Sequence, residues 1–323
     1  MPVNLHRVVG SGWVRLAITI AILAYLAAGI DMRAATLAVL QVSPGHLVFV
    51  LFLVALDRAV MILRWVLLLR SSNVEISAAG TARIFLVSSF VGSFLPAGVG
   101  GDVARAYGLS RATTNSAEAL ASVAIDRVLG IVALLAMGVV GLMATATTVT
   151  DWRVGAGVAL LLSSSFAILW ADRVVTAVVP HSARAGRVGA RLVSLSAALS
   201  RYRTRPATLL HVFGWSVAVQ GLRIVQAYFL GLGLGIVVPF RYYLVFMPIG
   251  LLMLLLPISV SGFGAPQAMI VWLMQPLGVA DERSFALSTL IVLTGLAGNL
   301  PGLMLWMRRR RDVQRRPETR FKT

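Results

Sequence analysis

Six apolar runs long enough to cross a lipid bilayer constrain this chain before anything else does. They lie at about 14–30, 46–70, 115–146, 154–171, 207–231 and 284–307, each near the roughly 20 residues a helix needs to span the hydrocarbon core. Backbone polar groups find no water there, and a helix satisfies them within its own segment. The fold class is therefore an all-α polytopic membrane protein. Charge content agrees: 13% of residues are charged, against about 25% in soluble domains.

Two further apolar segments, about 78–110 and 243–277, are interrupted in the same way. Leu95-Pro96-Ala97-Gly98-Val99-Gly100-Gly101-Asp102 and Leu256-Pro257-Ile258-Ser259-Val260-Ser261-Gly262-Phe263-Gly264 each run from Leu-Pro into small residues. A polar side chain follows in each: Asp102 and Arg105 in the first, Gln267 in the second. Proline removes a backbone donor and glycine weakens a helix, so both segments should unwind. The freed backbone groups must then face protein or a wet cavity. Paired broken segments in two halves of a chain are a pointer to a transporter's binding site.

Orientation follows from the arginines. The 172–206 loop holds Arg173, Arg184, Arg187, Arg191, Arg201, Arg203 and Arg205, and the 308–323 tail holds Arg308 to Arg311, Arg315 and Arg316. Both belong in the cytoplasm. If each broken segment enters and leaves on one face, both termini are cytoplasmic, 31–45 is an external loop, and Arg105 and Arg111 fall inside. The expectation is six full spans and two re-entrant segments, or eight spans if the broken segments cross. The single membrane domain, 1–323, divides into pseudo-repeat halves at about 1–150 and 151–307, the same element order starting from opposite faces. Residues 184–203 read as a basic amphipathic helix on the membrane surface. The run Leu16 to Ile30 reads as a retained helix rather than a cleaved signal.

Charges inside the spans ask for partners. Asp57, Arg58, Arg64, Asp126, Arg127 and Arg223 all fall within apolar segments, and each costs at least about 2.5–3.5 kcal/mol at a bilayer centre. Four arginines against two aspartates leave two arginines unmatched. Adjacent Asp57 and Arg58 point in different directions on a helix, as do Asp126 and Arg127, so each acid should pair across helices. Arginine's planar fork matches phosphate oxygens. Arg58, Arg64, Arg105, Arg127 and Arg223, with Asp102 and Asp126, are the candidate headgroup site. Pro96, Gly98, Gly100, Gly101, Pro257, Ser259, Ser261, Gly262, Gly264 and Gln267 are the candidate cavity-lining breaks, their glycines letting backbone amides approach a ligand.

Little else suggests chemistry. The net charge is +17, but the basic residues flank apolar spans, so a membrane rather than nucleic acid is the partner. There is no cysteine, the histidines lack metal-ligand spacing, and neither a phosphate-binding loop nor a nucleophile elbow is present. No cofactor is called for. Gly101-Asp102-Val103-Ala104-Arg105 resembles part of the Asp-Gly-x-x-Ala-Arg core of membrane CDP-alcohol phosphotransferases, but such chemistry needs clustered carboxylates for a divalent metal. Asp102 has no acid nearer along the chain than Glu118.

Phe94 through Arg105, Asp126-Arg127, Leu256-Pro257-Ile258-Ser259 with Gly262-Phe263-Gly264, Leu300-Pro301-Gly302, and Arg64-Trp65 together resemble the transmembrane region of lysylphosphatidylglycerol synthetases. The resemblance covers nearly the whole chain. It implies a flippase-like inner-membrane protein moving an anionic or polyprenyl-linked lipid, with Asp102, Arg105, Asp126 and Arg127 at motif positions. The alternative is a non-transporting accessory subunit partnering lipid or glycan synthesis enzymes. Many members carry a glutamate where this chain has Gln267, which argues against proton carriage there. Bifunctional members also carry a soluble aminoacyltransferase domain. None follows the last span here, so synthesis of aminoacyl lipid is not expected.

Overall fold

The computed structural model describes residues 12–72, 74–95, 100–113, 116–145, 197–198, 200–202, 204–253 and 263–314. They form α1 (Gly12–Gly29), α2 (Met32–Leu40), α3 (Pro44–Ser71), α4 (Ala78–Phe94), α5 (Gly100–Ser110), α6 (Ser116–Thr145), α7 (Pro206–Gly233), α8 (Phe240–Met253), α9 (Ala265–Met274), α10 (Asp281–Ala297) and α11 (Leu300–Gln314). No strand occurs among the described residues. Four stretches are long and apolar enough to cross a membrane: α3, α6, α7, and Asp281–Arg308 through α10 and α11; α1 with α2 makes a fifth if that bent pair is one span. Large apolar side chains such as Phe52 on α3 and Met143 on α6 point outward, as a lipid-facing surface requires.

Helix starts follow local chemistry. Asp31 caps α2 by accepting from the backbone N–H groups of Arg33 and Ala34 at 2.9 and 3.0 Å. Ser43 caps α3, with Pro44 in the first turn, and Ser77 caps α4. These side chains satisfy amides that have no partner within the helix. Residues 31–45, expected as a loop, therefore contain the helix α2, bent 91° from α1. The basic tail likewise continues α11 as far as Gln314. The 154–171 span and most of the 184–203 amphipathic segment lie outside the described residues.

The first broken segment folds back on itself. A Cβ built on Gly92 would lie 2.3 Å from Gly101 Cα, and one on Gly108 would lie 3.1 Å from the Ile84 side chain. Those pairings run antiparallel, so α4 and α5 form a hairpin whose open ends share one side. Glycine at 92 is what lets the two backbones touch. The second segment does the same less tightly: Gly250 on α8 faces Ile270 on α9 at 3.5 Å.

Antiparallel contacts then link the two ends of the chain. Asp57 and Arg64 of α3 meet Arg223 and Ser216 of α7. Gly138 and Gly141 of α6 meet Pro248 and Leu244 of α8, and Gly302 of α11 sits beneath Leu86 of α4. The leading helix of each broken segment thus packs on a helix distant in sequence, α4 on α11 and α8 on α6. Two apolar clusters flank α3. One holds Val50, Val54, Ile224, Leu230 and Tyr243, the other Trp65, Leu68, Phe85, Leu109 and Ile125. Asp57, Arg58 and Arg64 lie on α3 between them.

Candidate functional site

A cavity of about 410 Å3 opens between the apolar clusters, with walls from α3, α4, α5, α6, α7, α8 and α10. All seven expected headgroup residues, Asp102, Arg105, Asp126, Arg127, Arg58, Arg64 and Arg223, line it, and so does Asp57. Five arginines meet three aspartates. The excess charge stands inside helices whose outer surfaces are apolar.

The charges fall into two centres. Asp126, on α6, is 3% exposed and gives one oxygen to Arg64 at 2.8 Å and the other to Arg105 at 3.0 Å. Arg64 also donates to Ser216 Oγ at 3.0 Å. Arg105 reaches Asp102 at 3.1 Å, and its guanidinium sits 4.9 Å from the Trp65 ring and 5.6 Å from the Phe85 ring. Arg127 meets the other Asp102 oxygen at 3.3 Å. The first hairpin makes this centre possible, because its short limb α5 carries both Asp102 and Arg105 inward. A buried carboxylate gripped by two guanidiniums ties α3, α5 and α6 in one register.

Around Asp57 the packing is looser. Its oxygens meet Arg223 Nε at 3.1 Å and Arg58 Nη1 at 3.6 Å. Arg58 thus turns back to its sequence neighbour, where different directions were expected, while Arg223 supplies the cross-helix partner. Arg58 also donates to the carbonyl of Gly295 at 3.4 Å. Its side chain is 19% exposed and that of Arg223 is 26% exposed.

The break residues divide. Gly101 lines the cavity, and Gly100 is buried where a Cβ would lie 2.2 Å from that of Leu95. Pro96, Gly98, Pro257, Ser259, Ser261 and Gly262 lie outside the described residues. Gln267 was expected at the cavity, but among the described residues it is not part of the wall. It is wholly buried, and its Oε1 accepts from Gly264 N–H at 2.7 Å. Gly264 adopts φ +101°, a conformation that favours glycine, so its amide is spent on an internal cap and is not offered to a ligand.

Several lining residues escaped the sequence reading. Gln220 and Gln226 donate to the carbonyls of Gly130 and Leu53 across the helix interfaces. Ser93 accepts from Asn299 at 2.8 Å. A signal was available on α7, because Ser216, Gln220 and Arg223 recur at spacings of four and three in an apolar span, which marks one polar helix face.

No curated protein matches the chain. A family model does, and it spans residues 12–302, both hairpins and every charged residue of the cavity included. The chain belongs to the family described as the lysylphosphatidylglycerol synthase TM region.

Proposed function

We propose that the chain is a lipid transporter that carries an anionic or polyprenyl-linked lipid between leaflets, with the headgroup in the arginine-lined cavity. One observation carries the reading: five arginines and three aspartates line a cavity between membrane-length helices. Uncompensated charge at that depth is expensive, and an anionic headgroup supplies the compensation. Arg58, Arg127 and Arg223, the more open guanidiniums, hold its phosphate. Gly101 lets the helix start of α5 approach it. The acyl or prenyl chains stay in the bilayer.

The antiparallel contacts support reading the chain as inverted halves, the arrangement that rocks about a central site in alternating-access transporters. Arg70, Arg111, Arg201, Arg205 and Arg308 gather where α3 and α11 end and α6 and α7 begin. At the opposite end, Arg33, Arg241 and Arg283 are offset by Asp31, Asp281 and Glu282. The first end is cytoplasmic on that bias, the membrane is the cell's inner membrane, and lipid or glycan synthesis enzymes use the moved lipid. A phosphotransferase is disfavoured: metal chemistry wants neighbouring carboxylates, and Asp102 is instead held by Arg105 and Arg127.

Leaflet-specific labelling in reconstituted vesicles tests the proposal. The protein should speed exchange of at least one anionic lipid, and Arg223→Gln should abolish that exchange at a lesser cost in folded yield, because Arg58 still faces Asp57. Unchanged exchange across a panel of anionic and polyprenyl lipids would favour a non-transporting accessory subunit.

A further inference from the structure

We propose that the headgroup taken by this cavity carries two phosphoryl groups, one for each ion-pair centre. The inference rests on the headgroup reading above and narrows its substrate class.

Among the described residues, each centre has one carboxylate fewer than it has guanidiniums. Around Asp126, the guanidiniums of Arg64, Arg105 and Arg127 meet the carboxylates of Asp126 and Asp102. Around Asp57, the guanidiniums of Arg58 and Arg223 meet one carboxylate. The remaining described acids are not in the cavity wall. Residues 96–99, 154–171 and 254–262 contain no ionisable side chain, so neither break, nor a span at 154–171, brings a further carboxylate.

The open centre shows where one anion belongs. Arg223 Nη2 and Arg58 Nη1 both point at Met61 Sδ, at 3.2 and 3.6 Å, and Arg58 Nε, like Arg64 Nε and Arg105 Nε at the other centre, is buried without a hydrogen-bond partner. A thioether is a weak acceptor. A phosphate oxygen between two guanidiniums makes charge-assisted bonds far stronger than that. Asp57 and Arg64 mark the two centres on α3, seven residues apart, or about 10 Å along a helix. Arginine side chains reach several ångströms from their helix, so guanidiniums of the two centres can converge on adjoining phosphoryl groups as well as on separated ones. A diphosphate-linked lipid and a lipid with two phosphodiesters share this chemistry.

The test uses the full chain in vesicles of zwitterionic lipid carrying a trace of one labelled lipid: phosphatidylglycerol, cardiolipin or a polyprenyl-diphosphate lipid. Cardiolipin or the diphosphate lipid should cross about tenfold faster than phosphatidylglycerol, the worth of one charge-assisted contact, and which of them does so identifies the source. Met61→Glu, which puts a carboxylate where the sulfur stands, should erase that advantage. Met61→Leu should keep it. Equal rates for one and two phosphoryl groups, exchange of phosphatidylglycerol alone, or an advantage that survives Met61→Glu would overturn the inference and leave the transport reading standing. Exchange of none of the three overturns it together with that reading. If Met61→Glu does not fold, the unaltered protein in detergent decides. A short-chain lipid with two phosphoryl groups must raise its unfolding temperature at concentrations where a monoanionic one does not.

Discussion

The Asp126 and Asp57 centres use the same chemistry, and their arginines are buried to different degrees. Asp126 has one guanidinium within ion-pair distance of each oxygen, at 2.8 and 3.0 Å, and those arginines are only 4% and 5% exposed. Serine and aromatic rings fill in around those arginines. Asp57 is as deeply buried, yet its arginines face the cavity and share a sulfur atom. A closed centre holds helices in register. An open one keeps donors available at some cost to stability. Burying an ion pair is often close to neutral in energy, but removing one member of it is severe. The two centres should therefore answer differently to the same substitution.

The largest effect is expected at the closed centre. Asp126→Asn leaves Arg64 without a counter-charge and Arg105 with Asp102 alone, which costs about 3–5 kcal/mol. Folded yield should collapse, and added anionic lipid should not restore it, because Arg64 and Arg105 are only 4% and 5% exposed and a headgroup meets this centre through the more open Arg127. Thermal unfolding in detergent checks this. A stable Asp126→Asn protein would remove the distinction between the centres.

At the open centre the same change is milder. Asp57→Asn loses hydrogen bonds to a charged group, about 1.5–3 kcal/mol, but Arg58 and Arg223 can turn toward the cavity. A short-chain anionic phospholipid should win back part of that loss, since ligand that binds only the folded state stabilises it in proportion to its concentration over Kd. Rescue of Asp57→Asn without rescue of Asp126→Asn would show that anionic lipid compensates the open centre alone.

The next effect concerns how the closed centre is delivered. Gly92→Ala places a methyl group 2.3 Å from Gly101 Cα, so the limbs of the α4–α5 hairpin must part. Overpacking of this kind costs about 1–3 kcal/mol. Because Asp102 follows Gly101 directly, the wedge should also loosen Arg105 from Asp126 and leave the Asp57 centre intact. Cysteine reactivity separates these outcomes in a chain that has no cysteine of its own. In the parent background, Ser110→Cys and Thr204→Cys should react from one side and Ala280→Cys from the other, as the hairpin's shared open end requires.

Much of this was legible in advance, for identifiable reasons. The spans read as 46–70, 115–146 and 207–231 are Pro44–Ser71, Ser116–Thr145 and Pro206–Gly233, because lipid leaves a long apolar run no choice but helix. That Arg58, Arg64, Arg127 and Arg223 converge was legible for the same reason, since a charge at that depth must face inward. Partner choice was not. Asp102 meets Arg127 because the hairpin folds at a glycine contact, and no spacing along the chain encodes that register. The α2 helix was missed because nine residues carry too little periodicity, although Asp31 announced its start. Gln267 was misplaced because a polar residue after a glycine break can serve either a ligand or the break itself. Here it caps its own helix.

The smallest effect on stability, and a sharp one on function, is expected at Arg127, which joins the Asp126 centre through Asp102. Its side chain is 34% exposed and meets Asp102 at 3.3 Å, so the pair resembles a surface ion pair worth about 0–1 kcal/mol. Arg127→Gln should therefore fold close to normally. If the residue serves only as a partner for Asp102, the yield should fall modestly and Asp102→Asn should restore both yield and lipid exchange. If it holds a headgroup phosphate, exchange should fall about tenfold or more with the yield unchanged, and neutralising Asp102 should not bring it back. Arg127→Lys then separates charge from shape, because an ammonium keeps the attraction but loses the planar fork. Partial exchange is the expected result for lysine. Normal exchange in a correctly inserted Arg127→Gln protein would take this residue out of the headgroup site and leave Arg58 and Arg223 to hold the phosphate alone.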